Sequence, residues 1–117
     1  MRLNEVSYSE GSPVEGYGPG FFRVGGEAHE APLMIMPGGV TGWGGLEDGD
    51  ALLTAAGAVD VLLVGMGPEI AHLPRGLRDR LEEAGLGVEV MSSPQACRTY
   101  NVLLGEGRRV GLAVLPV

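Results

Sequence analysis

The sequence contains no lysine. That absence removes Schiff-base chemistry and the phosphate-gripping lysine of a P-loop. Cysteine occurs once, as Cys97, so no intrachain disulfide can form. Two histidines, His29 and His72, beside one cysteine match no zinc-ligand spacing. With one tryptophan, three tyrosines and two phenylalanines, aliphatic side chains must build most of any core. No apolar run approaches the roughly 20 residues of a membrane-crossing helix. The opening stretch MRLNEVSYSEG lacks the apolar segment of a signal peptide. The expectation is a cytoplasmic protein with no direct membrane insertion.

The charge that is present is mostly negative. Residues 1–60 hold nine acids against two arginines, whereas residues 61–117 hold six of each, giving −7 in all. Affinity for phosphate backbones rests on Lys and Arg, so an acidic chain without a basic stripe excludes nucleic acid as a partner. Anionic membrane surfaces would repel it as well.

At 117 residues the chain suits one domain with one core. Residues 1–11 read as an N-terminal extension and residues 12–117 as a single α/β domain. Twenty-one glycines and eight prolines point to short elements and many turns. Gly25-Gly26 between FFRV and EAHE is a two-residue hairpin signal. LMIM at 33–36, closed by Pro37-Gly38-Gly39, reads as a buried strand, with VTGW at 40–43 as another extended piece. Asp48 is placed to cap a short helix reaching about Ala56, with Leu52, Leu53 and Ala56 inward and Gly57 as its stop. VDVLLVG at 59–65 is nearly continuous and valine-rich, as a strand covered on both faces should be. Pro74 suits the opening of a second helix with Leu77, Leu81 and Ala84 on one face and Gly85 as its stop. GVEVM at 87–91 is a strand. A third helix capped by Ser93 runs to about Gly105, and RRVGLAVLPV supplies the last strand. Strand–helix alternation through the second half predicts helices packed on a sheet.

Several residues invite a chemical reading. Cys97 falls one turn into the third helix, where a helix amino terminus lowers a thiol pKa. On the helical wheel, however, Cys97 borders the face made by Ala96, Tyr100, Leu103 and Leu104, with Asn101 flanking and Arg98 and Val102 opposite. No base accompanies it in sequence, so a packed thiol is the stronger reading. Gly65-Met66-Gly67 ends the strongest strand as a dinucleotide fingerprint begins, but Ile70 stands at the third glycine's place and Pro68 delays any helix. A glycine turn is the simpler account, although ligand crevices form at such strand ends. Glu27 and His29 alternate as on a solvated strand face. Arg108 and Arg109 suit a helix end or an ion pair. Trp43 divides evenly between an exposed partner anchor and a core plug.

Three stretches taken together, GPGFFRVGGEAHEAPLMIMPGGVTGW, VDVLLVGMG and GVEVMSSPQACRTYNVLLGEGRRVGLAVLPV, resemble the family called domain of unknown function 498, over roughly residues 12–117. The most specific piece is AlaCysArgThrTyrAsn at 96–101 followed by GluGlyArgArgVal at 106–110. Met66 stands where the family's loop usually has threonine, and Ser93 keeps the hydroxyl of its usual threonine cap. The resemblance implies a compact three-layer α/β domain around a mixed sheet of about five strands. It implies no established enzymatic activity and no cofactor. Because the family includes a mitochondrial assembly factor of respiratory complex I, it also implies respiratory-complex subunits or assembly factors as partners. The leading expectation is therefore a non-catalytic protein-interaction domain, with Trp43, Gly65, Met66, Gly67, Arg98 and Asn101 as the candidate surface. The rival is a small-molecule binder or enzyme using the crevice beside Gly65 and Gly67. A homo-oligomeric structural module is a third.

Overall fold

The computed structural model describes residues 11–117, so the expected extension lies almost wholly outside the described residues. The first three strands, β1 (Val14–Gly18), β2 (Phe21–Val24) and β3 (Glu27–Glu30), form an antiparallel sheet in that order. The other five strands are β4 (Leu33–Met36), β5 (Gly39–Gly42), β6 (Val61–Gly65), β7 (Gly87–Met91) and β8 (Val110–Val114). They form a mixed sheet ordered β5-β4-β8-β6-β7. β6 runs parallel to both of its neighbours, while β4 is antiparallel to β5 and β8. Three helices complete the chain: α1 (Gly49–Leu53), α2 (Leu77–Glu83) and α3 (Ser93–Gly105). The expected mixed sheet of five strands, with helices and a separate hairpin region, is the fold observed.

Strand alternation divides the core into two layers. Leu33, Ile35, Leu63, Leu112 and Val114 face α3, with Leu63 opposite Leu112 and Leu112 opposite Ile35 across three strands. Met34, Leu62, Val64, Val88 and Ala113 face α1 and α2. The period of two in these near-continuous apolar runs therefore feeds both sides of one sheet. The three-stranded sheet adds Val14, Phe22 and Val24 to the α3 layer. Its β2–β3 turn uses Gly25 and Gly26 at φ +61° and +81°, the positive pair that a tight two-residue hairpin requires.

The structure corrects four local expectations. Asp48 stands before α1 but makes no side-chain cap; its Oδ2 accepts from the Gly44 N–H at 3.4 Å instead. Around α1, Leu52 and Ala55 are fully buried, while Leu53 and Ala56 are only partly so. Pro74 does not open α2: Gly76 precedes Leu77 at φ +83°, and Ala84 faces solvent while Leu86 enters the core. The cap of α3 is Ser92, whose Oγ accepts from the Gln95 N–H, and Ser93 is the first helical residue. That one-residue shift frees the Ser93 hydroxyl for another task.

Candidate functional site at the strand ends

β6 ends where α3 begins, and the two approach very closely. A Cβ on Gly65 would lie 2.7 Å from both Ser93 Cα and Ser93 Oγ and 2.9 Å from Val114 Cγ1. Only a residue without a side chain fits against the helix backbone there. Gly67 follows at φ +98°, a conformation that also favours glycine. Ser93 is completely buried. Its Oγ accepts from the Gly67 N–H at 2.9 Å and donates to the Leu115 carbonyl at 2.7 Å. The Ser93 N–H donates to the Gly67 carbonyl at 2.7 Å, and the Leu115 N–H to the Gly65 carbonyl at 2.9 Å. Met66 joins through its N–H to the Met91 carbonyl at 2.9 Å. One hydroxyl thus ties the end of β6 to the segment after β8. Buried polar groups need such partners, because leaving one unmet costs its desolvation.

The turn expected to border a crevice has no opening at Gly65 itself. Gly65, Met66 and Gly67 are all buried, and Ser93 and Val114 fill the space at Gly65. Trp43 is also buried, 6 % exposed, within the α1/α2 layer, and its Nε1 donates to the Asp48 carbonyl at 3.1 Å. Its side chain is a core plug and not an exposed anchor.

The residues of α3 separate by face. Asn101 accepts from the Val14 N–H through Oδ1 and donates to the Val14 carbonyl through Nδ2, both at 2.8 Å. The amide acts as a strand edge and holds β1 against the helix. Tyr100 Oη donates to the Ser12 carbonyl at 2.9 Å, beside the same strand. Asn101, chosen as a polar contact for a partner, is thus committed within the fold. Arg98 is exposed and donates to Gln95 Oε1 at 2.8 Å. Val102, one turn further on, is 59 % exposed. Cys97 is packed among the α3 layer's aliphatic side chains, and burial pushes its thiol from 9.0 up to about 12, against a smaller opposing effect of Arg98. A thiol held neutral in this way is no nucleophile at ordinary pH. The candidate residues thus occupy a filled turn, a core and two sides of one helix, and they form no common pocket.

Elsewhere, His29 Nε2 lies 4.0 Å from Glu27 Oε2 at the surface. Arg109 donates to Asp60 Oδ1 at 3.3 Å and to the Gly57 carbonyl at 2.9 Å, which makes it a loop tie. Among the described residues, no group of three or more His, Cys, Asp or Glu side chains is placed to hold a metal, and no helix is long and apolar enough to cross a membrane. Sequence reasoning missed an open feature immediately beyond the filled turn. The loop between β6 and α2 borders a half-open surface pocket of about 480 Å³, lined by residues 70–76 together with Arg78 and Val90. The signals for it were present: the loop is long and irregular, it carries Pro68 and Pro74, and it holds Ile70 apart from any apolar run.

A five-stranded mixed sheet, with α3 and a docked hairpin sheet on one face and two short helices on the other, defines a compact three-layer α/β domain. The chain belongs to the family described as protein of unknown function DUF498/DUF598, which matches residues 14–115. It is 50% identical over 117 residues to an uncharacterised protein of Rhodobacter capsulatus, covering all of this chain and 94% of that one. It is 27% identical over 110 residues to human NADH dehydrogenase [ubiquinone] 1 alpha subcomplex assembly factor 3, covering 88% of this chain and 60% of the human protein. The zebrafish (Danio rerio) protein of the same name is 26% identical, with 99% of this chain and 71% of that one covered. Among solved structures, one described as an outer membrane protein from Bartonella henselae superposes with a TM-score of 0.83 at 33% identity, covering 95% of this chain and 99% of that one. A Bordetella parapertussis protein superposes with a TM-score of 0.81 at 36% identity, covering 95% of this chain and 100% of that one.

Proposed function

We propose that this chain is a non-catalytic protein-interaction domain that serves in the assembly or maturation of respiratory complex I. Kinship carries the reading: the human and zebrafish relatives are named as assembly factors for the NADH dehydrogenase alpha subcomplex. The chemistry of the strand ends is in keeping with it. The polar groups gathered at the 65–67 turn and on the inner side of α3 are spent on internal hydrogen bonds. They hold the fold in one arrangement, as a recognition surface requires.

The partner contact lies on the outer side of α3, where Arg98 and the exposed Val102 stand one turn apart. Arginine beside an exposed apolar residue is a composition that interfaces favour. The direct test is affinity purification of the tagged chain from its native host, with complex I activity measured in a deletion strain. Complex I subunits or assembly proteins should co-purify, complex I should fall in the deletion strain, and Arg98→Glu should weaken recovery. Recovery of no respiratory protein together with normal complex I would overturn the reading.

A further inference from the structure

We propose that the loop between β6 and α2 binds a small organic anion: a carboxylate or phosphate joined to an apolar body of short-alkyl or benzyl size. The site stands at the carboxyl end of the central parallel strand, with Val90 from the end of β7 in its wall. Open α/β sheets place their ligands at that end. The cavity of about 480 Å³ falls within the size range of small-molecule sites. Its lining residues combine Ile70, Leu73 and Val90 with His72 and two arginines, Arg75 and Arg78, and no described acid is among them. In a chain of net charge −7, a cavity lined by arginine and free of acids is a local reversal of sign.

The two arginines differ in their commitments. Arg78 Nη1 donates to the Val88 carbonyl at 2.9 Å and lies 3.7 Å from Glu82, so its guanidinium is held in place and partly neutralised. Arg75 has no ion pair or side-chain hydrogen bond among the described residues. Among the described residues it is the lining arginine without a side-chain partner, and guanidinium groups suit planar oxyanions. Ile70 is 70 % exposed, the most exposed of the large apolar side chains among the described residues. An apolar ligand body resting on it accounts for its place there. Pro68 and Pro74 restrict the loop, which lowers the ordering that binding must impose.

Two-dimensional amide NMR on the full chain tests the proposal, with phenyl phosphate and hexanoate as probes and benzyl alcohol and inorganic phosphate as half-probes. Phenyl phosphate or hexanoate should give saturable shifts confined to the loop, the start of α2 and the end of β7. Each half-probe should bind at least about tenfold more weakly than the corresponding complete one, since it carries one of the two features recognised. Arg75→Ala, on an exposed loop, should leave the rest of the spectrum unchanged and weaken binding at least about tenfold. Arg78→Ala should weaken it further in combination. No saturable shift with either complete probe, equal binding of benzyl alcohol, or unchanged binding to Arg75→Ala would each overturn the site.

Discussion

The 65–67 turn and the loop that follows it are contiguous in sequence and opposite in physics. In the turn, backbone groups are buried and bonded to Ser93, Met91 and Leu115. In the loop, Ile70 and Arg75 stand in solvent around a cavity. The glycine pair that invites a ligand reading from sequence is glycine because a helix lies against it. The residues beyond it, which fit no fingerprint, are the ones left free to meet another molecule. A buried turn hydrogen-bonded to the elements around it stabilises; exposed groups are available for binding.

The sharpest way to break this contrast is to put a side chain into the turn. Gly65→Val would drive its Cβ to within 2.7 Å of Ser93 Cα, and a helix backbone cannot yield as a flexible side chain would. The expected loss is more than about 4 kcal/mol, read as failure to fold or a collapsed urea midpoint. A milder cut is Ser93→Ala, which removes the partner of the buried Gly67 N–H and of the partly buried Leu115 carbonyl. It should cost about 2–3 kcal/mol in urea denaturation and should accelerate hydrogen exchange at the Gly67 amide.

The inner side of α3 obeys the same rule as the turn. Asn101→Ala leaves the Val14 N–H and carbonyl without their side-chain partner in a partly buried place. A loss of about 1–2 kcal/mol is expected, with exchange rising first in β1 and β2 and the mixed sheet unaffected. Equal exchange increases in both sheets would show that the hairpin sheet is not held locally by this amide.

How much of this was legible in the sequence follows from how local each determinant is. Gly25-Gly26, the LMIM and VLLVG runs and the Gly85 stop carry their geometry in adjacent residues, and each appears where expected. Which of two serines caps α3 did not follow from residue type, because Ser92 and Ser93 are chemically identical. Only the closeness of Gly65 and Leu115, 28 and 22 positions away in sequence from Ser93, assigns Ser93 to the interior. Asn101 looked like a free polar contact for the same reason, since its partner Val14 lies 87 residues away. The cavity stayed hidden because its wall needs Val90 from another strand beside the loop.

Alkaline pH probes the α3 layer through Cys97. Its folded value is raised from 9.0 to about 12 by burial. Below pH 9 both folded and unfolded chains keep the proton, and the thiol's contribution to stability is complete. As pH rises toward 12 the unfolded chain releases its proton first, so stability falls across that window. About 1 kcal/mol should be lost between pH 9 and 10 from this group, and Cys97→Ala should flatten that part of the profile. Burial raises Tyr100 in the same direction, and its share begins at higher pH.

The smallest effect belongs to the loop, and its smallness is what matters. Ile70→Ser removes an apolar side chain that is 70 % exposed, so little apolar area returns to water on unfolding. Arg75→Ala removes a cation with no ion pair among the described residues. Each should change the urea midpoint by no more than about 0.5 kcal/mol equivalent. The contrast with Gly65→Val is then several kcal/mol across the eleven residues from Gly65 to Arg75. A loss above about 2 kcal/mol for either loop variant would show that the loop is built into the core, and the division between a sealed turn and an open site would fail.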